Sequence, residues 1–323
     1  MGFVKKIDLL ILWHCSTVEP DNTSRRADGG KEEAMSVQLS GTTTMLGLIG
    51  TPVAHSKSPA MYNHCFAKYG LDWAYLAFDV TQEKAGAAVQ AIRTLHMRGA
   101  NVTMPCKNAV IPYLDRLSPE ARAIGAVNVI VNDGGVLTGY NTDGMGYTQN
   151  LRRHGVEVKG KRIVLLGGGG AASAIAGQAA LEGAVEIAVF NRRDEFWPRV
   201  AQTLKNITEA APECTLSLHD LDNKDDLCEA VSRCDILSNA TRVGMAPEVE
   251  RSIITDRSWF RPELAVTDVV YAPPETKLLR NAKAAGCRTC DGLGMLLCQG
   301  AEAFRLYSGL EMPIEEIRAL LYA

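Results

Sequence analysis

Three short polar segments carry residue types that could bind an anion and move a proton. Residues 55–59 place two serine hydroxyls two positions apart at the start of a predicted helix. Hydroxyls beside the free N–H groups of a helix start can bind a carboxylate. Residues 101–107 end a predicted strand with a proline and a lysine, and residues 140–144 place a carboxylate at a helix start. Each segment also has a purely structural alternative: Ser58 capping its helix, a capped turn, or a surface charge.

A glycine-rich turn supplies a candidate cofactor site. Residues 162–166 predict a buried strand, and residues 171–182 predict a helix directly after four glycines. Gly167, Gly169 and Ala172 fit the fingerprint Gly-x-Gly-x-x-Ala, which allows a tight turn, close approach of a pyrophosphate and close helix packing. Because a strand and a helix flank the glycines, the segment predicts a dinucleotide site. The alternative is a glycine-rich turn without a ligand.

Residues 191–194 follow the next predicted strand, where the adenosine ribose lies in dinucleotide-binding folds. Asp194 would accept hydrogen bonds from the ribose hydroxyls and repel a 2′-phosphate, which favours NAD. Arg192 and Arg193 would pair with a 2′-phosphate, which favours NADP. A third interpretation is a solvated charge run in which Asp194 caps the next helix. These residues alone leave the three interpretations open.

The composition of the chain is that of a globular protein. Its 323 residues suggest two domains, and 46% of them are apolar while 22% are charged. A net charge of −3 gives no basic surface for nucleic acid. No apolar run approaches the ~20 residues that a membrane helix needs. Nine cysteines, sparse and odd in number, predict a reduced cytoplasmic protein with free thiols.

Strands alternate with helices from residue 45 onward, which predicts an α/β fold with parallel sheets covered by helices. The predicted strands cover 45–50, 75–80, 100–104, 127–131, 162–166, 186–190, 235–238 and 265–270. The predicted helices cover 58–69, 83–97, 143–153, 171–182, 295–307 and 313–322, with a hairpin turn at 133–135.

Residues 1–44 differ from this pattern. Lys5 and Lys6 precede the apolar residues 7–13 and imitate a secretory signal, but the stretch is short and contains Asp8. The polar residues that follow have little to bury. We therefore expect a disordered leader over residues 1–44, with Met35 or Met45 as the natural start.

Residues 45–323 resemble the shikimate dehydrogenase family through a series of ordered motifs. These are Ser-Lys-Ser-Pro at 56–59, Asn-Val-Thr-x-Pro-x-Lys at 101–107, Gly-Ala-Val-Asn at 125–128, Asn-Thr-Asp-Gly at 141–144, the glycine turn, Asn-Ala-Thr at 239–241, Asp-Val-Val-Tyr-x-Pro at 268–273 and Asp-Gly-x-Gly-Met-Leu-x-x-Gln at 291–299. Residues 191–197 are most similar to the quinate/shikimate dehydrogenase branch, which uses NAD. Ala272 departs from the asparagine of near relatives.

This resemblance implies two domains with the substrate in the cleft between them. The first is an α/β substrate domain over 45–142 together with 296–323, and the second is a Rossmann-type dinucleotide domain over 143–295. Lys107 and Asp143 would be the catalytic residues at the reacting hydroxyl. The resemblance assigns substrate binding to Ser56, Ser58, Thr103, Asn128, Tyr271 and Gln299. It assigns cofactor binding to Gly167, Gly168, Gly169, Gly170, Ala171, Asn191, Arg192, Arg193, Asp194, Arg242, Val269, Tyr271 and Gly292.

The implied activity is that of an NAD(P)-dependent oxidoreductase, a quinate/shikimate dehydrogenase. Hydride would pass reversibly between nicotinamide and the ring carbon of shikimate or quinate, and a positioned acid–base group would move the proton. We expect NAD as cofactor with NADP possible, a small ring hydroxy acid as substrate, no nucleic-acid or membrane partner, and a monomer or homodimer. The alternatives are an NADP-dependent shikimate dehydrogenase, a relative acting on another ring acid, and a non-catalytic nucleotide-sensing module.

A lone Cys-x-x-Cys at residues 287–290 is the remaining motif. A zinc site would need two more ligands at matching spacing, and none follows. We interpret the pair as buried thiols and predict no metal site.

Overall fold

The computed structural model describes residues 39–322, which form two six-stranded sheets with helices packed against them. The predicted two-domain α/β fold is thereby confirmed, whereas the predicted domain limits remain a prediction. Most of the expected leader lies outside the described residues. Its last part is described: the hydroxyls of Thr42 and Thr43 donate to Asp72, and the first strand begins at Thr44.

The first sheet is mixed, with the strand order β2-β1-β3-β5-β6-β4. Its strands are β1 (Thr44–Gly50), β2 (Trp73–Asp79), β3 (Gly99–Val102), β4 (Arg116–Leu117), β5 (Val129–Asp133) and β6 (Val136–Tyr140). Its helices are α1 (Ser58–Lys68), α2 (Ala85–Thr94) and α3 (Pro119–Ile124). Strand β5 runs antiparallel to β3 and β6. The hairpin turn predicted at 133–135 is confirmed, because Asp133 pairs with Val136 across it.

The second sheet is parallel throughout, with the order β12-β11-β10-β7-β8-β9. Its strands are β7 (Arg162–Leu166), β8 (Glu186–Asn191), β9 (Thr215–Asp220), β10 (Ile236–Asn239), β11 (Ala265–Asp268) and β12 (Arg288–Cys290). Its helices are α5 (Gly170–Leu181), α6 (Trp197–Ala210), α7 (Lys224–Arg233) and α8 (Lys277–Ala284). This is the doubly wound dinucleotide-binding order, in which ligands bind where the strand order reverses. That point lies between the carboxyl ends of β7 and β10.

Hydrophobic cores lie on both faces of each sheet. In β7, Ile163 and Leu165 pack into one core and Val164 and Leu166 into another. Both faces are buried, so the strand is apolar at every interior position instead of alternating. That burial explains why residues 162–166 could be recognised from the sequence.

The remaining helices are α4 (Asp143–Arg153), α9 (Gly292–Ser308) and α10 (Ile314–Tyr322). Helix α4 packs against α5 and α9, and α10 packs against α9 and α1. A Cβ on Gly144 would lie 2.3 Å from the carbonyl oxygen of Ala174 in α5. A Cβ on Gly146 would lie 2.6 Å from the backbone nitrogen of Gln299 in α9. The two glycines therefore let α4 pack closely against both helices, which brings Asp143 near the glycine turn that begins α5.

Local hydrogen bonds explain where the observed elements depart from the predicted limits. Helix α9 begins at Gly292 instead of residue 295, because the Asp291 carboxylate accepts the N–H of Gly294 at 2.6 Å. Strand β11 ends at Asp268 instead of residue 270, because that side chain accepts the N–H of Val270. The helix predicted over 83–97 is divided into a 3₁₀ turn (Gln82–Lys84) and α2.

Candidate active site

The two predicted catalytic side chains form an ion pair. Lys107 Nζ lies 2.5 Å from Asp143 Oδ2, and their side chains are 27% and 19% exposed, so the pair is shielded yet reachable. The other carboxylate oxygen, Asp143 Oδ1, accepts a hydrogen bond from Asn128 Nδ2 at 2.8 Å. The group therefore combines a proton donor, a carboxylate and an amide that fixes the carboxylate.

Sheet topology explains why these distant residues meet. Lys107 follows the carboxyl end of β3, and Ser56 follows the carboxyl end of β1, which is parallel to β3. Strand β5 is antiparallel to β3, so Asn128, just ahead of β5, lies at the same sheet edge. Strand β6 returns to that edge and leads into Asp143 at the start of α4. A single edge of the first sheet thus carries all four residues.

Backbone hydrogen bonds hold the turn that carries Lys107. The Thr103 N–H donates to the carbonyl of Ile49, and the Val127 N–H donates to the carbonyl of Lys107. The buried thiol of Cys106 donates to the Val80 carbonyl at 3.4 Å and fills the space behind the turn. These bonds fix the position from which the lysine side chain extends, as acid–base chemistry requires.

The two serines do not act as simple helix caps. Ser58 is the first residue of α1, and Lys57 occupies the cap position without a side-chain hydrogen bond. The hydroxyl of Ser56 accepts the N–H of Ser58 at 3.2 Å. The alternative in which Ser58 caps α1 is therefore wrong. The loop combines two hydroxyls with the N-terminal end of a helix, an arrangement that suits a carboxylate.

The glycine turn has the geometry of a pyrophosphate cradle. Gly167 has a φ of +103°, and its Cβ would lie 2.8 Å from the methyl of Thr241, so a side chain is excluded there. The N–H of Gly168 donates to Asn191 Oδ1 at 3.0 Å. A Cβ at Gly169 or Gly170 would meet no described atom within 4 Å, so the backbone at the start of α5 is open to a ligand.

The predicted ribose end contains charges that already have partners. Arg193 Nε lies 3.2 Å from Asp220 Oδ2, and its guanidinium lies over the Trp197 ring at 4.8 Å. The Asp194 carboxylate accepts the N–H of Phe196 at 3.0 Å in the turn before α6. It therefore stabilises this turn and does not occupy the cap position, which belongs to Phe196. Arg192 is exposed and has no ion pair within residues 39–322.

The remaining predicted cofactor residues follow β10, follow β11 or begin α9. Arg242 lies after β10, and Val269 and the half-exposed Tyr271 lie after β11. Gly292 is the first residue of α9, where a Cβ would lie 2.5 Å from the carbonyl oxygen of Val269. These positions follow the carboxyl ends of β10, β11 and β12, the side of a parallel sheet on which ligands bind.

The structure brings Lys107, Asp143 and Asn128 into direct contact but joins no other predicted substrate residue to them by a hydrogen bond among residues 39–322. Gln299 lies on α9, and its Nε2 donates to the Leu296 carbonyl at 3.0 Å. Binding of a ring acid by Ser56, Ser58, Thr103, Tyr271 and Gln299 remains a prediction.

Sequence reasoning gave no role to two acidic residues near these sites, although Asp268 begins one of the quoted motifs. Asp220 pairs with Arg193, and the 27 positions that separate them in the chain leave no local signal. Asp268 is 2% exposed and accepts three hydrogen bonds at the end of β11. Its signal was available, since a carboxylate directly after a buried apolar strand needs partners.

The Cys-x-x-Cys segment shows no sign of reactive chemistry. Cys287 and Cys290 are both buried free thiols. Burial raises the pKa of the Cys290 thiol to about 12, which suppresses the thiolate that metal binding and redox exchange require. Across the described part of the chain, no three His, Cys, Asp or Glu residues come together as a metal site. No helix there is long and apolar enough to cross a membrane.

Two family models match the chain. Residues 48–130 match the shikimate dehydrogenase substrate binding domain, and residues 292–322 match the shikimate 5′-dehydrogenase C-terminal domain. Shikimate dehydrogenase (NADP(+)) of Listeria monocytogenes serotype 4b is 45% identical over 285 residues, which cover 88% of this chain and 98% of that protein. The enzyme of the same name from Streptococcus uberis is 48% identical over 291 residues, which cover 89% and 98%.

Solved structures show the same relationship. The crystal structure of shikimate 5-dehydrogenase from Listeria monocytogenes in complex with shikimate and NAD matches with a TM-score of 0.86 and 44% identity, covering 89% of this chain and 99% of that one. Quinate dehydrogenase from Corynebacterium glutamicum in complex with NAD matches with a TM-score of 0.76 and 31% identity, covering 86% and 98%. With this sheet order, this ion pair and relatives of this similarity over nearly its whole described length, the chain belongs to the shikimate dehydrogenase family and is an oxidoreductase that acts on a CH–OH group.

Proposed function

We propose that this protein is an NADP-dependent shikimate dehydrogenase that interconverts the ring hydroxyl of shikimate and the corresponding ketone. The observation that carries the proposal is the shielded Lys107–Asp143 pair at the edge of the first sheet. Such a pair supplies the positioned acid–base group that a carbinol oxidation requires. The bound nicotinamide would take the hydride from the ring carbon.

Lys107 is the general acid and general base in this proposal. In the direction of ketone reduction, its ammonium donates a proton to the carbonyl oxygen as hydride reaches the ring carbon. In the reverse direction, the amine takes the hydroxyl proton as hydride leaves. Asp143 holds Lys107 Nζ at 2.5 Å, and Asn128 fixes Asp143 in turn, so the donor is oriented before the substrate binds.

The proposed substrate site extends from this pair to the loop after β1. Ser56 and Ser58 bind the ring carboxylate with the backbone N–H groups at the start of α1. Thr103, Asn128 and Gln299 bind ring hydroxyls, and Tyr271 closes the carboxylate side. We also propose domain limits of 45–142 with 296–323 and of 143–295, and a monomer or homodimer.

The proposed location is the cytoplasm. All eight described cysteines are free thiols, as expected in a reducing compartment.

The proposed cofactor differs from the NAD expected from the sequence. The Listeria and Streptococcus relatives carry NADP(+) in their names, so an NADP-dependent shikimate dehydrogenase is better supported than an NAD-dependent enzyme. In this chain the Asp194 carboxylate accepts a hydrogen bond from the Phe196 N–H, whereas Arg192 is exposed and has no ion pair with another described residue. We therefore propose that Arg192 pairs with the 2′-phosphate of NADP.

Quinate oxidation with NAD is the second candidate. Its support is the structural match to the NAD complex of quinate dehydrogenase from Corynebacterium glutamicum. The pairing of Arg193 with Asp220 also favours it, since that arginine is already neutralised at the ribose end. The Listeria structure holds NAD together with shikimate, so the two choices, substrate and cofactor, need separate tests.

A kinetic comparison with both substrates and both cofactors tests the proposal. Purified protein is assayed with shikimate and quinate, each with NADP and NAD, and kcat/KM is determined for the four combinations. We expect the highest value for shikimate with NADP. A highest value for quinate with NAD would establish the second candidate instead, and no reduction of either cofactor with either substrate would contradict both candidates.

A variant tests the cofactor assignment separately. Arg192→Ala should lower kcat/KM with NADP and leave the value with NAD nearly unchanged, because only NADP carries the 2′-phosphate. The control is Lys205→Ala, which removes another exposed positive charge from the following helix, α6. An equal loss with both cofactors in Arg192→Ala would rule out phosphate recognition by this residue.

A further inference from the structure

Asp268 is a buried carboxylate that the proposed chemistry does not use. It ends β11 and is 2% exposed. Its Oδ1 accepts the N–H of Val270 at 3.0 Å, and its Oδ2 accepts the hydroxyl of Thr276 at 2.7 Å. Burial outweighs these hydrogen bonds and raises its pKa to about 6. A costly buried group with several well-formed partners calls for a role that an apolar residue could not fill.

Asn239 connects Asp268 to the neighbouring strand. It ends β10, and its Nδ2 donates to Asp268 Oδ1 at 2.9 Å and to the Val243 carbonyl at 3.2 Å. Its Oδ1 accepts both the N–H and the hydroxyl of Thr241, at 3.1 and 2.7 Å. Asn239 thereby fixes the loop after β10. One of its amide hydrogens also holds Asp268, which in turn fixes the loop after β11.

These bonds extend from the glycine turn to the residue before Tyr271. The methyl of Thr241 packs so closely on Gly167 that a Cβ there would lie 2.8 Å away. From Thr241 the contacts continue through Asn239 and Asp268 to the N–H of Val270. These contacts therefore fix the position of the Tyr271 backbone relative to the glycine turn, which would hold the pyrophosphate.

We propose that Asp268 and Asn239 are a pair of positioning residues, which fix the backbone of residues 269–271 relative to the glycine turn. The proposal rests on the proposed function for the roles of Val269 and Tyr271, which would line the cofactor and the ring carboxylate. The pair acts through this backbone and touches neither ligand.

A carboxylate suits this position because it accepts several hydrogen bonds at once. Oδ1 receives both the Asn239 amide and the Val270 N–H, while Oδ2 receives the Thr276 hydroxyl at the start of α8. An asparagine with its oxygen in the Oδ1 position keeps the first two bonds and can donate to the Thr276 hydroxyl. Alanine removes all three and leaves two buried N–H groups unpaired.

The test compares Asp268→Asn and Asp268→Ala with a control on the same strand as Asn239. Ser238→Ala removes one buried hydrogen bond, since Ser238 Oγ lies 2.6 Å from the Tyr147 hydroxyl, but leaves the Asp268 contacts intact. Hydrogen exchange of the peptide covering 269–276 is measured in each full-length protein without ligands. Steady-state kinetics with shikimate at saturating cofactor follow, and thermal unfolding checks that each variant is folded.

We expect Asp268→Ala to lose the protection of the Val270 amide and to lower kcat/KM for shikimate on the order of 10-fold or more, since small misplacements of contact residues are costly. Asp268→Asn should keep the protection and most of the activity. Ser238→Ala should lower the melting temperature without changing exchange at 269–276 or kcat/KM.

Unchanged exchange at Val270 in Asp268→Ala would overturn the inference, as would equal kinetic losses in Asp268→Ala and an equally destabilised Ser238→Ala. If Asp268→Ala does not fold, Asn239→Ala is measured in its place, and unchanged exchange at Val270 in that variant overturns the inference as well. The exchange measurement uses no substrate. Absence of wild-type turnover with shikimate would therefore count against the proposed function alone.

Discussion

At the scale of single residues, Lys107 is the side chain whose loss should affect turnover most. We expect Lys107→Ala to lower kcat on the order of 10²-fold or more, because a positioned acid–base group contributes that much. Cofactor affinity should change little, since Lys107 follows β3 of the first sheet whereas the glycine turn follows β7 of the second. Steady-state kinetics and cofactor titration measure the two effects. Lys84→Ala, which removes an exposed lysine elsewhere on this domain, is the control, and near-normal turnover of Lys107→Ala would contradict the assignment.

Asp143 should behave as part of the same unit. Asp143→Asn removes the charge that holds Lys107 Nζ at 2.5 Å, and we expect a loss of kcat similar to that of Lys107→Ala. The double variant should be far less impaired than the product of the two single losses, because groups that act together are non-additive. A double-mutant cycle on kcat/KM measures this interaction. Strictly additive free energies of activation would mean that the two side chains act independently.

At the scale of secondary-structure elements, helix α10 holds the serine loop. Lys57, between the two serines, donates from Nζ to the Leu321 carbonyl at 2.5 Å and lies 3.9 Å from the centroid of the Tyr322 ring. A cation at a helix C-terminus is favourable, and the aromatic ring adds to this. At its other end, α10 is joined to α1 by Glu316, which pairs with His64 and Lys68.

Weakening this contact should affect binding more than chemistry. We expect Tyr322→Leu to raise KM for shikimate roughly 2- to 5-fold with little change in kcat, as exposed cation–π pairs contribute about 0.5–1 kcal/mol. Lys68→Met is the matched control, because it removes a contact between the same two helices at a site away from the loop. If both variants raise KM equally, the effect belongs to the packing of α10 in general and not to Lys57.

The same scale shows what a sequence can predict about the fold. Strand β7 and helix α4 have the predicted limits. Burial on both faces makes β7 continuously apolar, and Asp143 of the Asn-Thr-Asp-Gly motif marks the start of α4. Strand β9 was missed, since this edge strand is only half buried and mostly polar. Helix α3 was missed as well, because its six residues are too few to show a clear apolar periodicity.

The candidate site shows the same limit. The resemblance carried by ordered motifs assigned Lys107 and Asp143 to one site, and in the structure the two side chains form an ion pair. The bond from Asn239 to Asp268 joins neighbouring strands that are 29 residues apart in the chain. Such bonds depend on strand order, which single motifs do not specify.

At the scale of the whole molecule, the buried Asp268 should make stability depend on pH. Its pKa is about 6 in the folded protein and 3.8 for an ordinary aspartate, so the folded state binds its proton more tightly. Its contribution to the free energy of unfolding is therefore fully present below pH 3.8 and is lost as the pH rises through about 6. Asp268→Asn is neutral at every pH and lacks this titration.

The expected difference is large enough to measure. Between pH 4.5 and 7.5, the wild type should lose about 2 kcal/mol of unfolding free energy relative to Asp268→Asn. Urea unfolding of both proteins at several pH values provides the comparison, and the other titrating groups cancel because both proteins share them. A constant difference across this range would mean that Asp268 ionises normally in the fold. A wild type that instead loses stability relative to Asp268→Asn as the pH falls would reverse the sign and show that the hydrogen bonds of Asp268 outweigh its burial.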